Sequence, residues 1–153
     1  MAVANTSPSA EPAHLLRRLA AILYDSLLLV AVEMLAAALW LPLFGDHPPA
    51  SHPLYHFYQV FLLLVALAFF VGFWLHGGQT LGMRAWRLRL HSSAGGPPSL
   101  RQSLIRFGVA ILSWLLIGLG FLWSLLEPQR RTWHDLASGT IVLLEAKPAK
   151  QVR

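Results

Sequence analysis

Three long apolar runs dominate the pattern of hydrophobic and polar positions along the chain. They cover residues 19–41, 57–75 and 107–126, and polar connectors separate them. About 20 residues, at a helical rise of about 1.5 Å each, span the hydrocarbon layer of a bilayer. The pattern therefore predicts three membrane-spanning α-helices. The first run contains two acids, Asp25 and Glu33, whereas the second has no charged residue.

The two connectors between the runs differ in charge. Residues 45–56 are rich in proline and histidine and hold no lysine or arginine, whereas residues 77–106 hold five arginines and no acid. Because cytoplasmic connectors collect Lys and Arg, we expect residues 77–106 and the N-terminal end of the first run to be cytoplasmic. The basic residues after the third run conflict with a full third crossing. A third segment that breaks near Gly118 and Gly120 and turns back resolves the conflict and is favoured over a full crossing.

A small strand pair is predicted beside the helices. The segment "WRLRL", residues 86–90, alternates apolar and basic residues with a period of two, and "GTIVLLE", residues 139–145, is rich in β-branched residues. The predicted fold is an all-α integral membrane protein with three apolar transmembrane segments, the third broken or re-entrant, and a small cytoplasmic strand pair. We expect a disordered lead over residues 1–13, a membrane domain over residues 14–146 and a basic tail over residues 147–153.

Composition supports a membrane protein over other classes. The chain is 56% hydrophobic and 12% charged, and its net charge of +5 lies beside apolar runs, which argues against nucleic-acid binding. It has no cysteine. The first run is too long for the core of a cleaved signal peptide, so a retained helix is favoured.

"GGQTLGMR", residues 77–84, lacks the Lys and Ser/Thr of a phosphate-binding loop and indicates a tight exit from the second helix.

The acids of the first run are the first candidate site. An acid at the centre of a membrane helix costs roughly 2.5–3.5 kcal/mol to insert, so it normally faces protein or a wet cavity. Asp25 follows Arg18 by about two helical turns, so both lie on nearly the same face. We expect Arg18 to pair with Asp25, either to orient the helix or to complete a cation or proton site. Glu33 either lines the same cavity or is buried in its neutral form.

The segment "EPQRRTWHDLASGT", residues 127–140, holds the second candidate site. Neighbouring residues on a helix point about 100° apart, so His134 and Asp135 cannot share a ligand unaided. We interpret Asp135 as a helix-start or arginine-pairing residue, with Arg106, Arg130 or Arg131 as its partner. The histidines of residues 45–56 are more typical of a free loop than of a metal site. We predict no catalytic residue, no metal ligand and no cofactor, and hence no enzyme.

Three segments give the chain its resemblance to a known family. "RRLAAILYDSLLL", "GQTLGMRAWRLRL" and "RRTWHDLASGTIVLL", within residues 17–144, resemble the RDD family, small multi-pass bacterial membrane proteins named for one arginine and two aspartates. The resemblance implies that Arg18, Asp25 and Asp135 are the motif residues. Many relatives have Gly-Lys where this chain has Gly82 and Met83. A transport role, including sodium/proton antiport, has been suggested for the family.

Two functions follow from the residues and the resemblance. The first is transport, with a cation or proton bound at Asp25 and with Glu33, Arg106 and His134 as additional candidates. The second is a non-catalytic membrane adaptor or assembly module whose Arg/Asp network fixes helix packing. In either case we expect a multi-pass protein of the bacterial inner membrane with a cytoplasmic N-terminus. The expected partners are the bilayer, anionic lipid at residues 77–106, and further copies or a larger membrane complex, without nucleic acid.

Overall fold

The computed structural model describes residues 11–145. Most of the predicted disordered lead and the whole of the predicted basic tail lie outside these residues. Two long helices, α1 (Leu15–Phe44) and α2 (Leu54–Leu75), pack against one another. Trp40, near the end of α1, contacts Tyr58, near the start of α2. Ala21, near the start of α1, shares an apolar cluster with Trp74, near the end of α2, so the two helices run antiparallel.

The connector after α2 folds against the base of α1. It contains a short helix, α3 (Leu81–Ala85), and the strand β1 (Leu88–Ser92). Thr80 caps α3 by accepting a hydrogen bond from the Met83 amide at 3.1 Å. The glycines Gly77 and Gly78 separate α2 from α3, and Gly78 has a φ of 68°. The predicted tight exit from the second helix is therefore present.

The third apolar segment is broken, as predicted. Helix α4 (Leu100–Leu115) begins with a capping box between Ser99 and Gln102, and α5 (Leu119–Leu122) follows and continues as a 3-10 helix over Trp123–Leu125. The two parts are bent by 109°. Gly118 lies in the bend with a φ of 77°, a conformation that glycine adopts without strain. The break lets the following chain return towards the start of α4.

The returning chain completes the strand pair. Helix α6 (Trp133–Ser138) packs against α4, and the strand β2 (Thr140–Leu144) pairs antiparallel with β1, from Leu88 opposite Leu144 to Ser92 opposite Thr140. Residues 11–13, assigned by the sequence to a disordered lead, instead run along β2. The Ala13 amide donates to the Val142 carbonyl at 3.1 Å. The start of α1, the end of α2 and both strands therefore meet at one end of the molecule.

The helix surfaces are strongly apolar. Helices α1 and α2 are each long and apolar enough to cross a membrane, and the bent segment formed by α4 and α5 is a third candidate if it is taken as one span. Large apolar side chains along these helices face outwards, including Leu23, Leu27, Leu35, Leu63 and Leu64. A mostly helical fold with two to three candidate membrane segments and a small two-stranded sheet is thus confirmed.

Candidate functional site

Asp135 lies at the centre of a buried ion cluster. Its side chain has 0% exposure, and it occupies the third position of α6, where its Oδ2 accepts a hydrogen bond from the Thr132 amide at 3.0 Å. The same carboxylate forms salt bridges with Arg18 of α1 and Arg106 of α4. Both interpretations of Asp135 from the sequence, helix-start residue and arginine partner, therefore describe its contacts. Of the three arginines considered there, Arg106 is the partner.

The two arginines are held by further hydrogen bonds. Arg18 Nε donates to the Ala13 carbonyl at 3.3 Å, and Arg106 Nη1 donates to Thr140 Oγ1 at 3.1 Å. The Arg106 guanidinium also lies over the Trp74 ring, 5.2 Å from its centroid. The cluster therefore ties together α1, α4, α6 and the start of β2. Breaking a buried ion pair of this kind leaves an uncompensated charge and is strongly destabilising.

The expected pair between Arg18 and Asp25 is not formed. Within residues 11–145, the ion pairs of Arg18 include Asp135 and not Asp25. The reason is the direction of side chains on a helix, which lean towards its N-terminus. Arg18 therefore points away from Asp25 and towards Ala13 and the returning chain. The prediction from spacing along one helix placed the two residues on one face correctly but assigned the wrong partner.

Asp25 is bound instead by the start of α3. It is 4% exposed, and its two oxygens accept hydrogen bonds from Thr80 Oγ1 and from the Gly82 amide, the latter at 2.8 Å. Gly82 lies so close to α1 that a Cβ added there would be 2.3 Å from the Ala21 carbonyl oxygen. Only glycine permits this approach. Asp25 is thus a buried acid with hydrogen-bond donors but without a cationic partner among the described residues.

A cavity of 320 Å³ lies beside Asp25 and beside the two arginines that pair with Asp135. Its walls come from α1, α2 and α4 and are mostly apolar. The polar residues that line it are Arg18, Asp25, Ser26, Thr80, Arg106 and His134. Asp135 stands behind this wall and does not line the cavity. The three motif residues therefore lie in two places. Arg18 and Asp25 are on the cavity wall, whereas Asp135 is inside the packed ion cluster.

The charges of α6 are fixed by the cluster. Burial alone would raise the pKa of Asp135, but the Arg106 and Arg18 guanidiniums outweigh it and hold the pKa well below its usual range. Burial, followed by the positive charge of Arg106, lowers the pKa of His134 from 6.5 to about 3. Asp135 is therefore ionised and His134 neutral near pH 7. His134 Nε2 lies 2.8 Å from Thr132 Oγ1, whereas its Nδ1 is buried without a hydrogen-bond partner.

The remaining candidates lie away from the cluster. Glu33 is half-buried on α1 and is not among the residues that line the cavity. Arg131 pairs with Glu127 at 3.1 Å, and Arg130 lies 2.6 Å from His14, so neither contacts Asp135. Across residues 11–145, no group of three or more His, Asp or Glu side chains is close enough to hold a metal ion.

Thr80 is a residue of the candidate site that the sequence analysis did not single out. It is 1% exposed and bridges Asp25 to α3. A threonine three residues before Met83, at the start of a helix, has the spacing of an N-cap, which was the available signal. That signal predicts the cap and not the contact with α1, because the contact depends on how the connector folds back.

Comparison with known proteins identifies the family of the chain. The family model described as RDD family matches residues 12–139, which is most of the chain. No curated protein and no solved structure gives a significant match. The match includes the three motif residues Arg18, Asp25 and Asp135, and the apolar helices agree with a protein of the membrane. The chain is therefore a membrane protein that belongs to the RDD family.

Proposed function

We propose that the protein is a multi-pass transport protein in which Asp25 takes up and releases a proton or a small monovalent cation. In this proposal the Arg18–Asp135–Arg106 cluster does not carry the ion. It holds α1, α4 and α6 together, so that Asp25 keeps its place on the cavity wall. No catalytic reaction is proposed for the protein.

The environment of Asp25 is the observation that supports this assignment. The carboxylate is buried, lines a cavity, and has a hydroxyl and an amide donor but no guanidinium as partner within the described residues. A buried acid without a counter-ion in a membrane helix is the usual position of a proton or cation site. Asp135 is unsuited to that role because two arginines hold it ionised.

In the proposed topology, the end of the molecule at which the start of α1, the end of α2 and both strands meet lies in the cytoplasm. Helices α1 and α2 then cross the bilayer as a hairpin, and the bent segment of α4 and α5 enters and returns. The support is the basic character of the connector, where Arg84 and Arg101 are exposed, against a loop without Lys or Arg between α1 and α2. We propose the bacterial inner membrane, with anionic lipid at the exposed arginines and with further copies enclosing the pathway.

Ion flux in vesicles tests the role of Asp25. Purified protein is reconstituted into liposomes that contain a pH-sensitive dye, and a sodium or potassium gradient is imposed. Wild-type protein should change the internal pH, and Asp25→Asn should abolish this change while the protein still inserts. Asn keeps the size of the side chain and can still accept from the Gly82 amide. Comparing sodium, potassium and a pure pH gradient separates a cation site from a proton site.

Glu33→Gln is the matched control for this experiment. It makes the same acid-to-amide change on the same helix, at a residue that does not line the cavity. We expect its flux to equal that of the wild type. Flux that persists in Asp25→Asn, or that is lost equally in both variants, would reject a specific ion site at Asp25.

An assembly module is the second candidate, and one contact favours it. Both oxygens of Asp25 are engaged by α3, so this acid also fixes the connector against α1. If this is its main role, wild-type vesicles show no flux, and Asp25→Asn and Thr80→Val both reduce the yield of folded protein. Thr80→Val keeps the carboxylate but removes both the hydroxyl donor to Asp25 and the acceptor that caps α3 at the Met83 amide. Loss of flux in Asp25→Asn with a normal yield of both variants would reject the assembly role.

A further inference from the structure

The cavity is a groove that opens between α1 and α4. Both helices pack against α2, but they do not pack along one another. Residues spaced by one helical turn on α1, such as Ile22, Ser26 and Leu29, form one wall, and Phe107, Ala110, Ile111 and Trp114 on α4 form the opposite wall. Ala66 and Phe70 of α2 form the back. The result is an elongated apolar site with an open side.

Hydrogen-bonding capacity is left unused at one end of this groove. The hydrogen bonds of Arg106 to Asp135 and Thr140 both run through Nη1, and its Nε is buried without a partner. His134, which lines the same end, has a buried Nδ1 without a partner. Thr132 Oγ1 accepts from the backbone of α6, so its hydroxyl is free to donate to His134 Nε2, which leaves the proton of the neutral ring on Nδ1. Unsatisfied buried donors are uncommon and call for an acceptor.

The charge at this end is also incomplete. Arg18 and Arg106 contribute two positive charges, and Asp135 is the one acid that pairs with either of them among the described residues. Asp25 lines the groove as well, but its oxygens face Thr80 and Gly82. The end of the groove near Arg106 therefore favours a single negative charge, most strongly when Asp25 is protonated.

We propose that the groove binds one long-chain carboxylic acid, with its carboxylate at Arg106 and His134 and its chain along the walls of α1 and α4. The Nε side of a guanidinium matches the two oxygens of a carboxylate, and because Arg106 Nε and His134 Nδ1 have almost no exposed surface, both side chains must shift to meet the ligand. The volume of 320 Å³ lies at the lower end of the range for ligand sites, which suits one chain better than the two chains of a phospholipid. This inference does not depend on ion flux through Asp25.

Tryptophan fluorescence provides a direct binding measurement, because Trp74 and Trp114 line the groove. The protein in phosphatidylcholine nanodiscs is titrated with dibromostearic acid, whose bromines quench nearby indoles, and in parallel with its methyl ester. The acid should quench saturably, with an apparent affinity at least about fivefold above that of the ester, since a charge-assisted bond is lost in the ester. Equal, non-saturating quenching by both compounds would mean simple partition into the bilayer and would overturn the proposal.

Two variants and one further probe locate the binding site. Ala110→Phe fills the groove and should remove the saturable component, whereas Ala31→Phe, an exposed position of α1 outside the groove, should retain it. The acid and ester comparison uses wild-type protein, so it decides the question even if Ala110→Phe fails to fold. Saturable quenching of the same size by dibrominated phosphatidylglycerol would assign the groove to a bilayer lipid and would contradict a carboxylic acid.

Binding should also respond to the charge of Asp25. At a pH at which Asp25 is ionised, Asp25→Asn removes a negative charge from the groove and should strengthen binding of dibromostearic acid by about fivefold or more, without changing the ester. An unchanged affinity for the acid would show that the carboxylate does not lie in the same groove as Asp25. If this variant loses ion flux but binds the acid more tightly, the proposed ion site and the proposed ligand site are both supported. Loss of one effect alone rejects only the corresponding proposal.

Discussion

Asp25 and Asp135 are both buried acids, yet their partners give them different chemistry. Asp135 accepts from two arginines and from the first turn of α6, so its charge is neutralised and fixed. Asp25 accepts from a hydroxyl and an amide and faces a cavity. A carboxylate paired with two guanidiniums resists protonation, whereas one without a cation can exchange an ion at lower cost. The two aspartates of the family motif thus have different surroundings.

We expect His134 to make the stability of the cluster depend on pH. Its pKa is lowered from 6.5 to about 3, chiefly by burial, so the unfolded chain binds a proton near pH 6.5 that the folded protein does not. The contribution of His134 to stability is therefore complete above pH 6.5 and is lost progressively as the pH falls towards 3. We expect the free energy of unfolding to fall by roughly 1 kcal/mol per pH unit in the lower part of this window.

Thermal unfolding in detergent micelles, between pH 7 and pH 5, measures this effect. His134→Gln removes the titrating ring and should flatten the dependence on pH relative to the wild type. The window lies above the range in which Asp135 contributes, because the stability from an acid with a lowered pKa is lost only below its unfolded value of 3.8. An equal slope in His134→Gln and the wild type would show that another group is responsible.

At the level of elements, α3 joins the connector to the membrane helix. Thr80 and Gly82 contact Asp25, and Gly82 also approaches the backbone of α1. Helices as short as α3 are not stable alone, so the contacts with α1 must stabilise it. The strand β1 follows α3 directly and pairs with β2, and β2 contacts α6. The position of α3 therefore affects where β2 and α6 lie.

Gly82→Ala tests the contact between α3 and α1. The new Cβ would lie 2.3 Å from the Ala21 carbonyl oxygen and 2.8 Å from Asp25 Cγ, so α3 must move away. We expect a loss of about 1–3 kcal/mol in the free energy of unfolding, as for an overpacked core. Gly108→Ala in α4, where a Cβ meets nothing within 4 Å, is the control and should be neutral or slightly stabilising. Similar losses in both variants would contradict close packing at Gly82.

The sequence predicts those elements whose signals are local. The period of two in residues 86–90 and the β-branched residues after Gly139 predicted the strand pair, and the conflict between basic residues and a full crossing predicted the break near Gly118. The partner of Arg18 could not be predicted in the same way. Spacing along one helix compares Arg18 with Asp25, whereas the true contact requires the chain to return from α5 to α4. Such long-range contacts leave no periodic signal in the sequence.

On the scale of the whole molecule, three parts of the chain meet at one end. The residues before α1 run along β2, β2 pairs with β1, and α6 packs against α4. The loop between α1 and α2 lies at the opposite end of the helical hairpin. In a membrane crossed by α1 and α2, this arrangement places β1, β2 and α6 on one side and the loop on the other.

Labelling of single cysteines tests this arrangement, and the natural chain contains no cysteine that would interfere. Ser51→Cys lies in the loop between α1 and α2, Ala94→Cys lies in the turn after β1, and Ala137→Cys lies in α6; all three positions are exposed. In intact spheroplasts an impermeant maleimide should label position 51, and it should reach positions 94 and 137 only after permeabilisation. Labelling of position 137 together with position 51 would indicate a full third crossing and would contradict the returning segment.

Arg18 acts with Asp135 and independently of Asp25, and a pair of double-mutant cycles on the free energy of unfolding measures this difference most directly. The variants are Arg18→Gln, Asp135→Asn and Asp25→Asn, alone and in the two combinations that include Arg18→Gln. Asp135→Asn leaves two buried arginines without an acid and should cost about 3–5 kcal/mol, whereas Arg18→Gln leaves Asp135 paired with Arg106 and should cost less. We expect a coupling of about 1–3 kcal/mol between Arg18 and Asp135, and additivity within about 0.5 kcal/mol for Arg18 and Asp25. A coupling of Arg18 with Asp25 as large as that with Asp135 would contradict the account.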